Sequence, residues 1–252
     1  KVADFIVSSG EKVLNQTLQD IKKTTMVGDA TIVRFCQKLG YSGFSDLKID
    51  IAKEGFSTVK TTSTSFIQTV ENHLMDAIRD TAKIADETQL NEASQLIQAA
   101  CNIYIFGIGA SGLTALDTES RFLRGGLQAR AVTDPHFQAM HASMASEGDL
   151  IIAISLTGKT KDIYDALMIA KKNNAKIIVI SNYILSPIAQ LGDVLIQTAI
   201  EEHLLNGGSL TGKVSQIFAI DLLITYYEAH FGTDELAMRE KIARSIVNKQ
   251  IN

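Results

Sequence analysis

Ile103-Tyr104-Ile105-Phe106-Gly107-Ile108-Gly109-Ala110-Ser111-Gly112 and Leu150-Ile151-Ile152-Ala153-Ile154-Ser155-Leu156-Thr157-Gly158-Lys159-Thr160 are built alike. Each is an apolar run, then a loop of Gly, Ser and Thr, then a helix-patterned stretch. Short continuous apolar runs fit strands buried on both faces of a parallel sheet. A strand, a small-residue loop and a helix start aim backbone N–H groups and hydroxyls at an anion. Two such loops at the carboxyl ends of one sheet predict a crevice that holds a single phosphorylated ligand.

Outward from these loops the pattern alternates. Strands are expected near residues 103–106, 128–132, 149–154, 176–181 and 193–197, with helices between them. That alternation predicts a five-stranded parallel sheet flanked by helices on both faces. Helical patterns precede it over Phe66 to Ile84 and Gln89 to Ala100. A long helix is expected from about Leu210 to Phe231 and a last one from Glu235. Residues 1–56 are patterned for helix throughout, and residues 57–65 are a polar Ser/Thr-rich linker. The expected domains are therefore 1–56 and 66–252, joined by 57–65.

The 252 residues, 46% apolar and 21% charged, have the composition of an ordinary globular protein. No apolar run approaches a membrane span, and Lys1 to Ser9 lack the features of a signal peptide. Cys36 and Cys101 read as buried thiols in a reducing compartment, with no zinc-site spacing, so a cytoplasmic location is expected. The chain opens without Met inside a helical pattern, so residues are expected to precede Lys1. Charge is unevenly divided: the first 60 residues hold nine Lys/Arg against seven Asp/Glu, the remainder fifteen against twenty-one. A slightly basic segment on an acidic domain suits a small nucleic-acid module.

Within that segment, Thr17-Leu18-Gln19-Asp20 is a capping box with Asp in the Glu place. After a break at Thr25 to Gly28, Ile32, Phe35, Cys36 and Leu39 form one apolar stripe, and Gly40 ends the helix. The opposite face carries Thr31, Arg34, Gln37 and Lys38, which can reach base edges and phosphates. Ser42 is read as the cap of the next helix, which carries Phe44, Leu47 and Ile51 and sets its N-terminus against a phosphate. Two short helices, a tight turn and a polar-faced second helix make the helix-turn-helix plan, whose second helix enters the major groove. Ala30 through Phe44 resembles the recognition-helix segment of the MurR/RpiR family of bacterial transcriptional regulators. Met26 stands where that family usually has Gly in the turn, and Gly28 where it usually has a capping Ser.

Gly107-x-Gly109-x-x-Gly112 also fits the dinucleotide fingerprint, with Asp134 placed 22 residues beyond Gly112. Pro135-His136 after Asp134 and the hydroxyl cluster at 155–160 speak against a dehydrogenase. The second loop is not a P-loop, because Ala153 stands where the first Gly would be. Together the loops resemble the SIS (sugar isomerase) domain over about residues 86–230. The SIS pattern apolar-Ser-x-Ser-Gly-x-Thr is met by Ile154, Ser155, Thr157, Gly158 and Thr160, with Thr for the middle Ser. The resemblance implies a phosphate bound by Ser155, Thr157, Thr160 and the Leu156 N–H, with Ser111 closing the site. His136 and Glu202 are candidates for the sugar hydroxyls, and Lys213, early in the long helix, for the phosphate. His136 and His141 point apart on a helix, and no metal or cofactor is expected.

SIS domains serve both isomerases and regulators. Glu201, Glu202 or His136 could supply an isomerase base. The amino-terminal resemblance decides for a regulator without catalytic residues: a DNA-binding homodimer controlled by a phosphosugar. Its combination of features is most similar to family members governing sialic acid catabolism, which implies N-acetylmannosamine 6-phosphate as effector and induction as the response. An aldose–ketose phosphosugar isomerase is the alternative.

Overall fold

Five strands form where the apolar runs lie: β1 (Asn102–Phe106), β2 (Arg130–Val132), β3 (Asp149–Ile154), β4 (Lys176–Ser181) and β5 (Val194–Gln197). They belong to a computed structural model that describes residues 1–57, 65–200, 210–231 and 236–247. Linker residues 58–64 and the candidates Glu201 and Glu202 lie outside the described residues. Among those described, one compact unit runs from Lys1 to Gln68. The other comprises Thr69–Ile200 and the described part of Gly208–Asn252.

In the larger unit all strands are parallel, in the order β2-β1-β3-β4-β5. Strand order reverses between β1 and β3, where Phe106 pairs with Ala153. Crevices in open α/β sheets lie at such a reversal, beyond the carboxyl ends of the strands. Alternate side chains enter two apolar layers. Ile103, Ile105, Ile152, Ile154, Ile178 and Ile180 pack under α6 (Glu87–Ala99), α7 (Ala110–Arg124) and α10 (Leu210–His230). Phe106, Ile151, Ala153, Ile177 and Val179 pack under α8 (Pro135–Met144) and α9 (Lys161–Lys172). Burial on both faces explains why the strands read as unbroken apolar runs.

The open edge of β5 is closed by side chains. Gln89 Oε1 accepts the Leu195 N–H at 3.3 Å, and Thr81 Oγ1, on α5 (Phe66–Ile84), accepts the Ala199 N–H at 3.1 Å. These bonds occupy donors that would otherwise template another strand. A final helix, α11, spans Leu236–Val247.

The smaller unit is helical: α1 (Val2–Ser9), a 3₁₀ segment (Gly10–Asn15), α2 (Leu18–Thr25), α3 (Asp29–Lys38) and α4 (Phe44–Ser57). Val2, Val13, Ile21, Ile32, Cys36, Phe44 and Leu47 form its core. The capping box forms: the Thr17 hydroxyl accepts the Asp20 N–H, and the Asp20 carboxylate accepts the Thr17 N–H at 2.8 Å. Lys48, lying over the Phe44 ring, donates to the Leu14 and Gln16 carbonyls and ties α4 to the 3₁₀ segment.

Three expectations are corrected. Leu39, expected on the buried stripe of α3, is 54% exposed, because the helix ends at Lys38 and Leu39 is its C-cap. Ser42 is not the cap of α4: the helix starts at Phe44, and the Leu47 N–H bonds the Gly43 carbonyl. Ser42 lies one residue outside, its N–H and hydroxyl both donating to the Asp46 carboxylate. Cys36 is buried, and that burial pushes its thiol up, but Cys101 is exposed. Cys101 precedes β1 at the amino end of the sheet, beside Gly148, and so faces neither apolar layer.

Candidate functional site

A three-residue turn, Met26-Val27-Gly28, joins α2 to α3. Met26 takes the left-handed conformation (φ 55°, ψ 36°), as expected where the family usually places Gly. Gly28 occupies the cap position of α3 and offers no side-chain acceptor to its first N–H groups. Ile32 and Cys36 are fully buried, which turns Thr31, Arg34, Gln37 and Lys38 outward, all exposed. Arg34 Nε is held by the Ala30 carbonyl at 3.2 Å, leaving the terminal guanidinium NH₂ groups as donors for a base edge or phosphate.

In the larger unit the two loops follow the paired strands β1 and β3 and are therefore neighbours. Gly107 permits the first loop to close, since a Cβ there would lie 2.4 Å from the Ser111 carbonyl oxygen. Gly158 (φ 64°) does the same for the second: a Cβ would meet Ser186 Oγ at 1.9 Å. Ser155 continues the ladder, its N–H bonding the Ile180 carbonyl. The Leu156 carbonyl accepts from the Asn182 N–H and the Ser181 hydroxyl, so residues after β4 brace the loop from behind.

Two of the hydroxyls meet. Ser155 Oγ and Thr160 Oγ1 are 3.4 Å apart, and Thr157 Oγ1 accepts the Lys159 N–H at 3.3 Å. Thr160 stands at the cap position of α9 but makes no side-chain cap bond. Gly109, at the cap of α7, has no side chain to make one. By contrast α2, α6 and α8 are capped by Thr17, Asp86 and Asp134. Like α1 and α3, the helices that begin at the loops thus offer no side-chain acceptor to their first N–H groups, and an anion there gains from the helix dipole as well.

Asp134 does not act as a ribose acceptor in this arrangement. Its carboxylate takes the His136 and Phe137 N–H groups at 2.9 and 3.1 Å and caps α8. His136 is the second residue of α8, exposed, and follows β2, one strand away from the loop pair. Lys213 lies in the first turns of α10. A Cβ on the preceding residue, Gly212, would lie 2.7 Å from the Leu156 side chain, so this end of α10 rests on the second loop. A separate cavity of about 260 Å³ at the β5 edge, lined by Thr81, Asp86, Gln89, Leu195, Gln197 and Leu222 among others, shares no residue with the loops.

Two buried glutamines escaped the sequence reading. Gln138 Nε2 donates to the Gly107 and Val132 carbonyls and holds the first loop from the α8 side. Gln216 Nε2 donates to the Ser111 hydroxyl from α10. A Gln in an otherwise apolar helix face is the only sequence sign of either.

A helix-turn-helix unit on the same chain as a doubly wound α/β unit makes this a DNA-binding transcriptional regulator. Residues 1–58 match the helix-turn-helix domain of the rpiR family and residues 95–226 match the SIS domain. The chain belongs to the RpiR family of regulators. An uncharacterized HTH-type transcriptional regulator of Clostridium perfringens is 32% identical over 257 residues, covering 97% of this chain and 92% of the relative. One from Haemophilus influenzae is 29% identical over 255 residues, covering 96% and 88%. Among solved structures, the Vibrio vulnificus NanR protein complexed with ManNAc-6P is similar with a TM-score of 0.83 at 28% identity, covering 99% of this chain and 93% of that one.

Proposed function

We propose that this regulator is a cytoplasmic homodimeric repressor of amino sugar catabolism, sialic acid use included, and that a phosphosugar such as N-acetylmannosamine 6-phosphate controls it. The observation that carries the reading is the pair of adjacent hydroxyl loops, each opening a helix whose N-terminus has no side-chain cap. Such a cradle suits a dianionic phosphate. Ser111, Ser155, Thr157, Thr160 and the Leu156 N–H donate to it, Lys213 supplies charge, and His136 and Glu202 meet the sugar. The likeness to NanR, whose solved complex holds ManNAc-6P, supports that effector.

On DNA, Thr31, Arg34, Gln37 and Lys38 read the major groove, and Ser42 lies near the backbone. Two half-sites give a specificity that one short helix cannot, which favours a dimer. Helix α7 leaves Leu113, Leu116 and Leu123 exposed at 57%, 46% and 57%, an apolar face suited to pairing. Domain limits of 1–56 and 66–252 complete the reading.

Titration calorimetry with N-acetylmannosamine and its 6-phosphate tests the cradle. The phosphorylated sugar should bind far more tightly, and equal affinities would reduce the loops to helix starts. Other sugar 6-phosphates in the same series identify the sugar.

A further inference from the structure

Gln216 is 2% exposed and belongs to α10, yet its amide makes two bonds to α7. Nε2 donates to Ser111 Oγ at 3.0 Å, and Oε1 accepts from Thr114 Oγ1 at 3.2 Å. Thr114 Oγ1 also lies 3.4 Å from the Ala110 carbonyl, one turn back on α7. A serine hydroxyl has one proton and two acceptor positions, and by itself can donate or accept. With an amide N–H on its oxygen, Ser111 has its own proton left for the crevice.

The reverse amide orientation has the opposite effect. Oε1 would take the Ser111 proton, Nε2 would donate to Thr114, and the Thr114 proton would pass to Ala110. Ser111 would then show the crevice only a lone pair. A phosphate dianion accepts and cannot donate, whereas a sugar hydroxyl does either. The orientation of one buried amide therefore decides whether Ser111 attracts a phosphate.

We propose that Gln216 is the positioning residue that makes the site select an anion: its Nε2 on Ser111, with Oε1 engaged by Thr114, keeps Ser111 a donor to the ligand phosphate. This rests on the phosphosugar reading of the two loops. Lys213, one helical turn earlier on α10, attracts any anion by charge. Gln216 adds a geometric requirement for an acceptor at Ser111.

The test uses the full chain, with N-acetylmannosamine 6-phosphate, unphosphorylated N-acetylmannosamine and inorganic phosphate as probes, read by calorimetry or competition. Gln216→Glu, when ionised, presents only acceptors to Ser111 and Thr114 but also adds a charge that repels phosphate. It should weaken the 6-phosphate and inorganic phosphate by roughly 10- to 100-fold, the range of one charged hydrogen bond, and leave the neutral sugar within about twofold. That loss supports the proposal only where the uncharged Thr114→Val shifts the phosphates in the same direction. Thr114→Val keeps the amide and adds no charge but removes one of its two partners, and should cost the two phosphates about threefold with the neutral sugar unchanged. Should Gln216→Glu fail to fold, Thr114→Val decides alone.

Equal losses for phosphorylated and neutral sugar in either folded variant would make the amide a packing group and overturn the proposal, as would unchanged phosphate affinity in Thr114→Val. Wild type that does not prefer the 6-phosphate would instead overturn the reading of the loops.

Discussion

Met26 shows how one residue departs from what its conformation favours. It is left-handed and 85% exposed, so no packing offsets a cost of roughly 1–2 kcal/mol for an L-residue. Met26→Gly should raise the unfolding free energy by about 1 kcal/mol in chemical denaturation, with DNA affinity retained; a fall would show that the side chain holds the turn. Ser155→Ala and Thr157→Ala should each weaken phosphosugar binding by about 1.5–3 kcal/mol, as read by calorimetry, without altering DNA binding in the absence of effector. His141 supplies a pH signature. Burial, aided by Arg130, pushes its pKa below the ordinary 6.5, so the unfolded chain binds the proton more readily than the folded one. Its contribution is present above about pH 6.5 and is lost as pH falls toward the lower folded value; His141→Phe should flatten that part of a stability–pH curve. The Thr17 box and the polar face of α3 were legible because both are local patterns. Gln216 was not, since its partner Ser111 lies 105 residues away and only the fold brings them together.

Among elements, the strands were the most legible, because double-sided burial writes itself as unbroken apolar sequence. Boundaries moved where a cap or an edge took over. Helix α6 begins at Glu87 because Asp86 accepts the Thr88 N–H at 2.8 Å, two residues before the apolar pattern begins. Strand β2 shortens to Arg130–Val132 at the sheet edge. The two loops were read correctly as small-residue turns, but their bracing was hidden, as Ser181, Asn182 and Ser186 belong to a segment with no motif of its own. That bracing makes Gly158 a sharp test. Gly158→Ala would set a Cβ 1.9 Å from Ser186 Oγ and 2.4 Å from Ser186 Cβ, at a φ of 64°. The loop must shift, so phosphosugar affinity should fall by more than about tenfold and the melting temperature by several degrees, a backbone strain of roughly 1–2 kcal/mol plus the clash. An unchanged affinity would mean that the loop does not hold the phosphate.

At the scale of the whole molecule, a regulator needs its two ligands to feel one another, and thermodynamics makes that relation symmetric. If the phosphosugar lowers operator affinity by some factor, operator DNA must lower phosphosugar affinity by the same factor. The proposed homodimer supplies the means: two states, one matching the half-site spacing and one not, each favoured by a different ligand. A coupling of about 1–3 kcal/mol, or roughly 5- to 150-fold, is the ordinary range. Sedimentation should first give a dimer mass at micromolar concentration; a strictly monomeric chain would remove the two-state device. Operator binding should then be measured across a phosphosugar series, and phosphosugar binding with and without operator, at one fixed salt concentration because phosphate contacts make DNA affinity salt-dependent. Induction predicts matching losses in both directions. Arg34→Ala, which removes the donors proposed to read the bases, should abolish specific operator binding while leaving phosphosugar affinity in free protein unchanged. In that variant, added operator should no longer shift the phosphosugar isotherm. A shift that persisted would place the coupling in nonspecific charge rather than in recognition by α3.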